Sequence, residues 1–410
     1  MKHEFTIAPG ELLRDLHRAY LDARKNKRGK EYQLRFEYRL EENLVALRDE
    51  LLSRIYRPRP STCFVIHEPK MREVFAASFR DRVVHHLFYN YVHELFERSF
   101  IYDCYSCIKG RGTHFGIDRL RHHIRSVSEG YSRPCYVLKI DIKGYFMGID
   151  RERLLAICRE TLSRMRDRPS STEERTWGEI LDYPFVDYLL QSIINNDPTA
   201  GCIRLGRASE WEKLPPEKSL FTAKPGCGLP IGNLSSQLFS NIYMNVFDQF
   251  AKRKLGCKHY GRYVDDAFVV SGDRKWLQSL IPRIEAFLEE RLGLRLNPDK
   301  LRIWDAYQGV EFLGAYLRPF RTYISSRSLR RIKGRLLVLP PAEVLQPRLL
   351  QSRVNSWLGV LSHYKSHCLR RVLFSYLASL PGSFSPDWLR FKPMVTFCAR
   401  EEKGRYEEMH

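Results

Sequence analysis

The stretch Tyr260-Gly-Arg-Tyr-Val-Asp-Asp-Ala-Phe-Val-Val270 decides how this chain is read. Tyr260 to Val264 and Ala267 to Val270 have the β-branched and aromatic content of strands, and Asp265 and Asp266 separate them. A hairpin with two acids at its tip is therefore predicted. An Asp-Asp pair by itself is more often a solvated turn, so its meaning rests on what else the chain supplies. Upstream, Pro134 to Ile140 is nearly all apolar through Cys135, Tyr136, Val137, Leu138 and Ile140. It reads as a buried strand, and it ends on a third acid, Asp141. If the two strand regions are neighbours in one sheet, the three carboxylates converge.

Converging carboxylates suit a specific chemistry. Joining a nucleotide to a growing strand needs one metal to activate the 3′ hydroxyl and another, roughly 3.5 to 4 Å away, on the leaving pyrophosphate. Two Mg2+ ions fit that task, with Mn2+ as a substitute, because Mg2+ keeps positions for water and phosphate oxygens beside a few carboxylates.

Composition agrees with a folded protein that meets a polyanion. The 410 residues, 43% hydrophobic and 12% aromatic, allow two to four compact units and exclude a disordered or collagen-like polymer. Lys and Arg number 68 against 48 Asp and Glu, a formal charge of +20. Nucleic acid is the first partner such a balance suggests, although many basic soluble proteins bind none. The N-terminus has no signal-peptide core and no run of eighteen apolar residues occurs, so no membrane span and a cytoplasmic location are expected. The ten cysteines, Cys63, Cys104, Cys107, Cys135, Cys158, Cys202, Cys227, Cys257, Cys368 and Cys398, include one CxxC and no second pair at zinc-finger spacing. Buried free thiols are expected, since a structural zinc needs four ligands.

Periodicity organises the rest. Leu40, Leu44, Leu47, Leu51 and Ile55 recur at three- and four-residue steps and predict a helix ending before Pro58. A short strand over Cys63 to Ile66, an apolar helix through Val83, Leu87 and Tyr91, and a helix from Ser235 to Phe250 follow by the same reasoning. Residues 164–224, richer in charge and proline, read as an insertion rather than core. Beyond Phe320 the cations Arg321, Arg327, Arg330, Arg331, Lys333 and Arg335 crowd one segment, and two amphipathic helical patterns lie between Arg348 and Leu380. This tail is expected to be a helical domain whose cations track a nucleic-acid backbone with steep salt dependence.

Five motifs occur in order: Asp141-Ile-Lys-Gly-Tyr-Phe146, Gly228-Leu-Pro-Ile-Gly-Asn-Leu-Ser-Ser-Gln237, Tyr263-Val-Asp-Asp266, Leu296-Asn-Pro-Asp-Lys300 and Glu311-Phe-Leu-Gly314. In these the sequence resembles the reverse transcriptase family, from about Lys70 to Gly314. The Ile-Gly-Asn-Leu-Ser-Ser-Gln form, with Ala76-Ala-Ser-Phe-Arg-Asp-Arg-Val-Val-His-His86, is most similar to the enzymes of bacterial diversity-generating retroelements. The resemblance implies an α+β right-hand polymerase: an N-terminal helical extension (1–60), fingers (61–134), palm with an antiparallel sheet (135–163 and 225–320), a fingers insertion (164–224), a helical thumb (321–400) and a tail (401–410).

It also implies roles. Asp141, Asp265 and Asp266 would hold the metals, with the carbonyl of Ile142 as an extra ligand. Phe146 takes the place of the aromatic gate that collides with a ribose 2′ hydroxyl and so favours dNTPs, and a core aromatic at a strand end is its ordinary alternative. Lys300 matches the lysine that lies near the triphosphate and protonates the leaving pyrophosphate, or else is a solvated loop lysine. Lys70, Arg72, Lys109 and Arg111 are the candidate triphosphate cations. Ile231 and Gln237 belong to the nucleotide-binding motif, and Phe312, Leu313 and Gly314 resemble the primer grip. Ile231 stands where many relatives have Gln and cannot hydrogen-bond a nucleotide, and Ile108 stands where several have Arg. Both departures imply low fidelity, because a site without a polar partner discriminates less between right and wrong geometry.

The partners implied are template RNA, the cDNA product, dNTPs, a small basic accessory protein and a structured noncoding RNA. Two other readings stay open on the sequence. An antiphage defence enzyme would use the same chemistry on a dedicated noncoding RNA, and a catalytically silent RNA-binding scaffold would use the basic and aromatic surface alone. An RNA-copying RNA polymerase is disfavoured by the bulk of Phe146.

Overall fold

The computed structural model describes residues 5–25, 27–67, 70–170, 174–337, 347–364, 366, 369–371, 382–385 and 390–393. The expectations for the Lys333 and Arg335 side chains, for Cys368 and Cys398, for residues 372–380 and for the 401–410 tail lie outside them. The chain is α+β and divides into two compact units, Met1–Arg119 with Leu138–Ile303, and Leu120–Val137 with Trp304–His410.

The first unit opens with helices α1 (Pro9–Ala23), α2 (Glu31–Glu37) and α3 (Leu40–Leu52). Pro9 starts α1 where no intrahelical N–H is required, and Leu12, Leu16, Ala19, Tyr20 and Ala23 form its buried stripe. Strands β1 (Thr62–Ile66) and β2 (Arg72–Ala76) form an antiparallel hairpin running from Thr62 opposite Ala76 to Ile66 opposite Arg72. Helix α4 (Phe79–Glu97) follows, capped by Ser78, whose side chain accepts from the Asp81 N–H. Helix α5 (Thr113–Val127) and strand β3 (Tyr136–Ile140) contain the division between units.

After β3 come the short α6 (Tyr145–Gly148), α7 (Arg151–Met165), α8 (Trp177–Ile180), α9 (Tyr183–Ile194), β4 (Ile203–Arg204), α10 (Ala208–Glu212) and α11 (Leu234–Gln249). The expected insertion is less peripheral than its composition suggests. Helix α9 buries Phe185, Val186, Leu189, Leu190 and Ile194, and β4 pairs in parallel with β1. Its charges sit in the connections while apolar residues spaced at three and four carry the packing. Helix α11 is buried on almost every side, as expected for an element enclosed by its neighbours. Strands β5 (Tyr260–Tyr263) and β6 (Asp266–Ser271) and helix α12 (Arg274–Phe287) follow, strand β7 (Arg302–Asp305) contains the next division, and the strand order β5-β6-β3-β7 makes one four-stranded sheet.

In the second unit β8 (Val310–Phe312), β9 (Ala315–Arg318) and β10 (Arg321–Ile324) form an antiparallel meander, followed by α13 (Ser326–Leu337) and a helix over Pro347–Ser362. Residues 321–324, expected to begin a helical region, are a strand because Arg321 to Ile324 pair with β9 across the turn at Phe320. Leu350, Val354 and Leu358 pack with Phe391 in a small core of their own. No helix among the described residues is long and apolar enough to cross a membrane.

Candidate active site

The predicted hairpin forms, with Asp266 as the first residue of β6 and Val264 and Asp265 as its two-residue turn, since Tyr263 pairs with Asp266. Strand β6 lies directly beside β3, so the sheet places Asp141, just past the end of β3, next to the turn that carries the other two acids. Their mutual repulsion is felt. Burial pushes the Asp265 carboxyl up to about 6, and the charges of Asp266 and Asp141 add to it. Asp266 is raised as well, by burial and by Asp141, while the cations Lys139, Lys300 and Lys70 act in the opposite direction. Among the described residues no three His, Cys, Asp or Glu side chains are gathered closely enough to hold a metal ion as they stand. The fit to a divalent ion rests instead on the donor set: three carboxylates on adjacent strands, mutually repelling, with ammonium groups drawn toward them.

One such ammonium is Lys300. Its Nζ lies 2.7 and 2.8 Å from the two Asp141 oxygens, and the Asn297 side-chain amide donates to Asp141 at 3.0 Å. The backbone holds this arrangement in register, since the Asn297 N–H donates to the Asp141 carbonyl, Ile142 bridges Leu296, and the Lys143 N–H donates to the Arg295 carbonyl. The 296–300 motif is thus laced to the 141–146 motif along three consecutive residues.

Phe146 sits half-buried in α6 and its carbonyl accepts from the Leu229 N–H at 2.9 Å. Ile231 is joined in turn to the β1–β2 hairpin, for its carbonyl accepts from the Phe75 N–H at 2.9 Å. The next residue must be glycine: Gly232 has φ +124, and a Cβ there would lie 2.9 Å from Val74 Cγ1 and 3.0 Å from the Phe75 carbonyl. Gln237 is exposed in the first turn of α11.

The proposed cations are placed unequally. Lys70 and Arg72 are exposed at the tip of the β1–β2 hairpin, and the charge of Lys70 reaches Asp266. Lys109 is exposed. Arg111 is turned inward: one Nη donates to the Tyr102 and Cys104 carbonyls at 2.8 and 3.0 Å, and its guanidinium lies over the Tyr102 ring. Phe312, Leu313 and Gly314 belong to the second unit. There Phe312 is fully buried, and the Leu313-Gly314 turn between β8 and β9 takes positive φ at both residues.

The cysteine expectation needs one correction. Cys104 is buried and its thiol is pushed up to about 11 by desolvation, but Cys107 is exposed in a left-handed turn with φ 55. The two thiols lie in different surroundings.

What the sequence reading missed lies behind the turn. Arg262 and Asp248 are both fully buried, joined by Nε and Nη2 at 2.7 and 2.6 Å, and the Tyr260 hydroxyl donates to the same carboxylate at 2.6 Å. The other Arg262 nitrogen, Nη1, donates to the Val264 carbonyl at 2.9 Å. Val264, a β-branched residue, is held at φ 56, a conformation that costs free energy and persists only when its surroundings impose it. Its N–H donates to the Ser106 hydroxyl, which donates to Asn241, whose amide returns a bond to the Ser106 carbonyl. The signal was present as Asn241, Asn245 and Asp248 in the largely buried second half of α11. Their spacing puts them on one face.

Residues 210–317 match the family model described as "Reverse transcriptase (RNA-dependent DNA polymerase)". That span holds Asp265, Asp266 and Lys300 and leaves Asp141 and Phe146 outside it. Protein YkfC of Escherichia coli strain K12 is similar, 26% identical over an alignment of 310 residues, with 67% of this chain and 71% of that protein covered. Among solved structures, telomerase of Candida albicans in complex with a fragment of telomeric RNA is similar with a TM-score of 0.45 and 12% identity, over 79% of this chain and 55% of that one. Apo telomerase of Candida tropicalis gives 0.45 and 11%, over 79% of this chain and 62% of that one. The chain therefore spans less than two thirds of the telomerase chains it matches.

Proposed function

We propose that this chain, which carries a reverse transcriptase domain, is an RNA-directed DNA polymerase that copies a template RNA into cDNA from dNTPs. The observation that carries the reading is the placement of Asp141 beside the Asp265–Asp266 turn in one sheet, with the charge of Asp141 raising both Asp265 and Asp266 and Lys300 and Lys70 within electrostatic reach. Two Mg2+ ions, or Mn2+ in their place, held by Asp141, Asp265, Asp266 and the Ile142 carbonyl would supply activation of the primer hydroxyl and neutralise the pyrophosphate. The remaining work falls to the chain. Lys70 and Arg72 balance the triphosphate charge, Phe146 excludes the ribose 2′ hydroxyl, and Lys300, released from Asp141, gives its proton to the departing pyrophosphate.

Asp265→Asn should reduce nucleotide incorporation on a primed RNA template by about 10²- to 10³-fold or more, with RNA affinity retained. Incorporation that persists at the wild-type rate would overturn the reading, and parallel loss of RNA binding would point to a structural defect.

The finer reading is error-prone copying, chiefly at template adenines, in a diversity-generating retroelement with a structured RNA and a small basic accessory protein. It is supported by the apolar Ile231 in a loop that its own backbone fastens to β2. Sequencing of cDNA made from a defined RNA should show fewer errors for Ile231→Gln than for the wild type, and equal error spectra would remove the fidelity argument.

A further inference from the structure

Helices α4, α7 and α11 begin together and end together. Their first turns, with Ala77, Asp81, His85, Arg151, Asn233 and Ser235, line one small cavity of about 20 Å³. Their far ends open on a cleft of about 600 Å³ lined by Arg98, Ser99, Arg164, Met165, Arg168, Pro169, Gln249 and Arg253. Arg98 is the C-cap of α4, Arg164 lies in the last turn of α7, and Arg253 lies in the π-helical continuation of α11. The acidic turn is held opposite Asn241, twelve residues before Arg253, so the cleft is roughly 18 Å along the helix from that contact.

Among the described residues four arginines line this cleft and no Asp or Glu does. Arg98 donates to the Pro169 carbonyl, which fixes the 168–169 turn against α4. Arg164, Arg168 and Arg253 are exposed, and their side chains make no hydrogen bond or ion pair among the described residues. A cation at a helix C-terminus is favourable by itself. Bringing three helix ends and a fourth arginine around one cavity goes further than dipole complementation, because like charges repel when nothing lies between them. Arginine presents a planar donor fork that matches phosphate oxygens in pairs. Among the described residues the lining has no aromatic ring to stack a base as single-strand and nucleotide sites do. What remains is recognition of a sugar-phosphate backbone by charge and shape, the mode by which paired RNA is bound.

We propose that this cleft is a second RNA site, separate from the catalytic one, which holds the backbone of a base-paired RNA segment. The site needs no metal and no nucleotide, so it stands or falls independently of the polymerase reading.

The experiment measures binding of the full chain, without divalent ions or dNTPs, to a short perfectly paired RNA hairpin across a salt series. Arg164→Glu with Arg253→Glu should weaken binding at least tenfold, and the neutral pair Arg164→Gln with Arg253→Gln should lower the slope of log affinity against log salt by about two. Extension of a short primed template too small to reach the cleft should proceed at the wild-type rate in both variants, which also establishes that they fold. Unchanged hairpin binding in the variants would overturn the proposal. So would competition by polyglutamate as effective as that of paired RNA, since the cleft would then fit an acidic protein segment.

Discussion

Two ion pairs flank the acidic turn, and their lengths hardly differ. Behind it Arg262 and Asp248 meet at 2.6 Å with both side chains fully buried; in front Lys300 and Asp141 meet at 2.7 Å with Lys300 49% exposed and Asp141 7%. What separates them is solvent and saturation. The buried pair uses both carboxylate oxygens on the guanidinium, adds a tyrosine hydroxyl, and spends the remaining fork on the Val264 carbonyl, so neither partner can leave without stranding a charge. Lys300 is a single mobile ammonium whose place water or another cation can take. One pair fixes backbone that must not move; the other holds a carboxylate that must change partners. Separation alone says nothing about which is which.

The comparison breaks most forcefully at the buried pair. Arg262→Met leaves Asp248 uncompensated and should destabilise the fold by about 3–5 kcal/mol in chemical denaturation. Replacing both residues with apolar side chains should recover much of that stability. Recovered stability without recovered nucleotide incorporation would show that the pair serves the Val264 turn more than the core.

A smaller effect concerns pH. The Asp265 carboxyl titrates near 6 in the folded chain, above its value in an unfolded chain, so between these values the folded state binds more protons. This group's contribution therefore stabilises the metal-free protein as pH falls from 7 toward 4 and is lost as pH rises through 6. It amounts to at most about 3 kcal/mol. Thermal melts of the wild type and Asp265→Asn should show a difference in stability that changes sharply between pH 4 and 6 and is flat above 7. Burial depresses His85 to about 4 with the opposite pH trend, but it is common to both proteins and cancels in the difference.

The smallest effect is expected at the exchangeable pair. Lys300→Met should slow incorporation about tenfold or more through loss of the proton donor, while lowering the Mg2+ concentration that gives half-maximal activity, because Asp141 is released. A variant that needs more Mg2+ would mean that Lys300 supports the metal site instead of competing with it.

Legibility followed how local each signal was. The acidic hairpin, the strand ending on Asp141 and the helix from Ser235 were readable because alternation and three-to-four spacing are properties of neighbouring residues. In the 164–224 region the composition concealed an apolar helix, because the charges lie in the connections while Phe185, Val186, Leu189, Leu190 and Ile194 are buried. Arg111 was a candidate triphosphate cation by resemblance, yet one of its Nη atoms is engaged by the Tyr102 and Cys104 carbonyls. Nothing in the sequence says which way a guanidinium turns.

By itself, then, the chain specified three acids, the strands that flank them and the helix from Ser235, because backbone periodicity fixes which face a side chain takes. Tertiary structure alone decided that Arg262 reaches Asp248 and braces Val264, that Lys300 rests on Asp141, and that the ends of three helices gather four arginines. Those pairings join residues far apart in sequence, and their strength depends on how much water the surrounding fold removes.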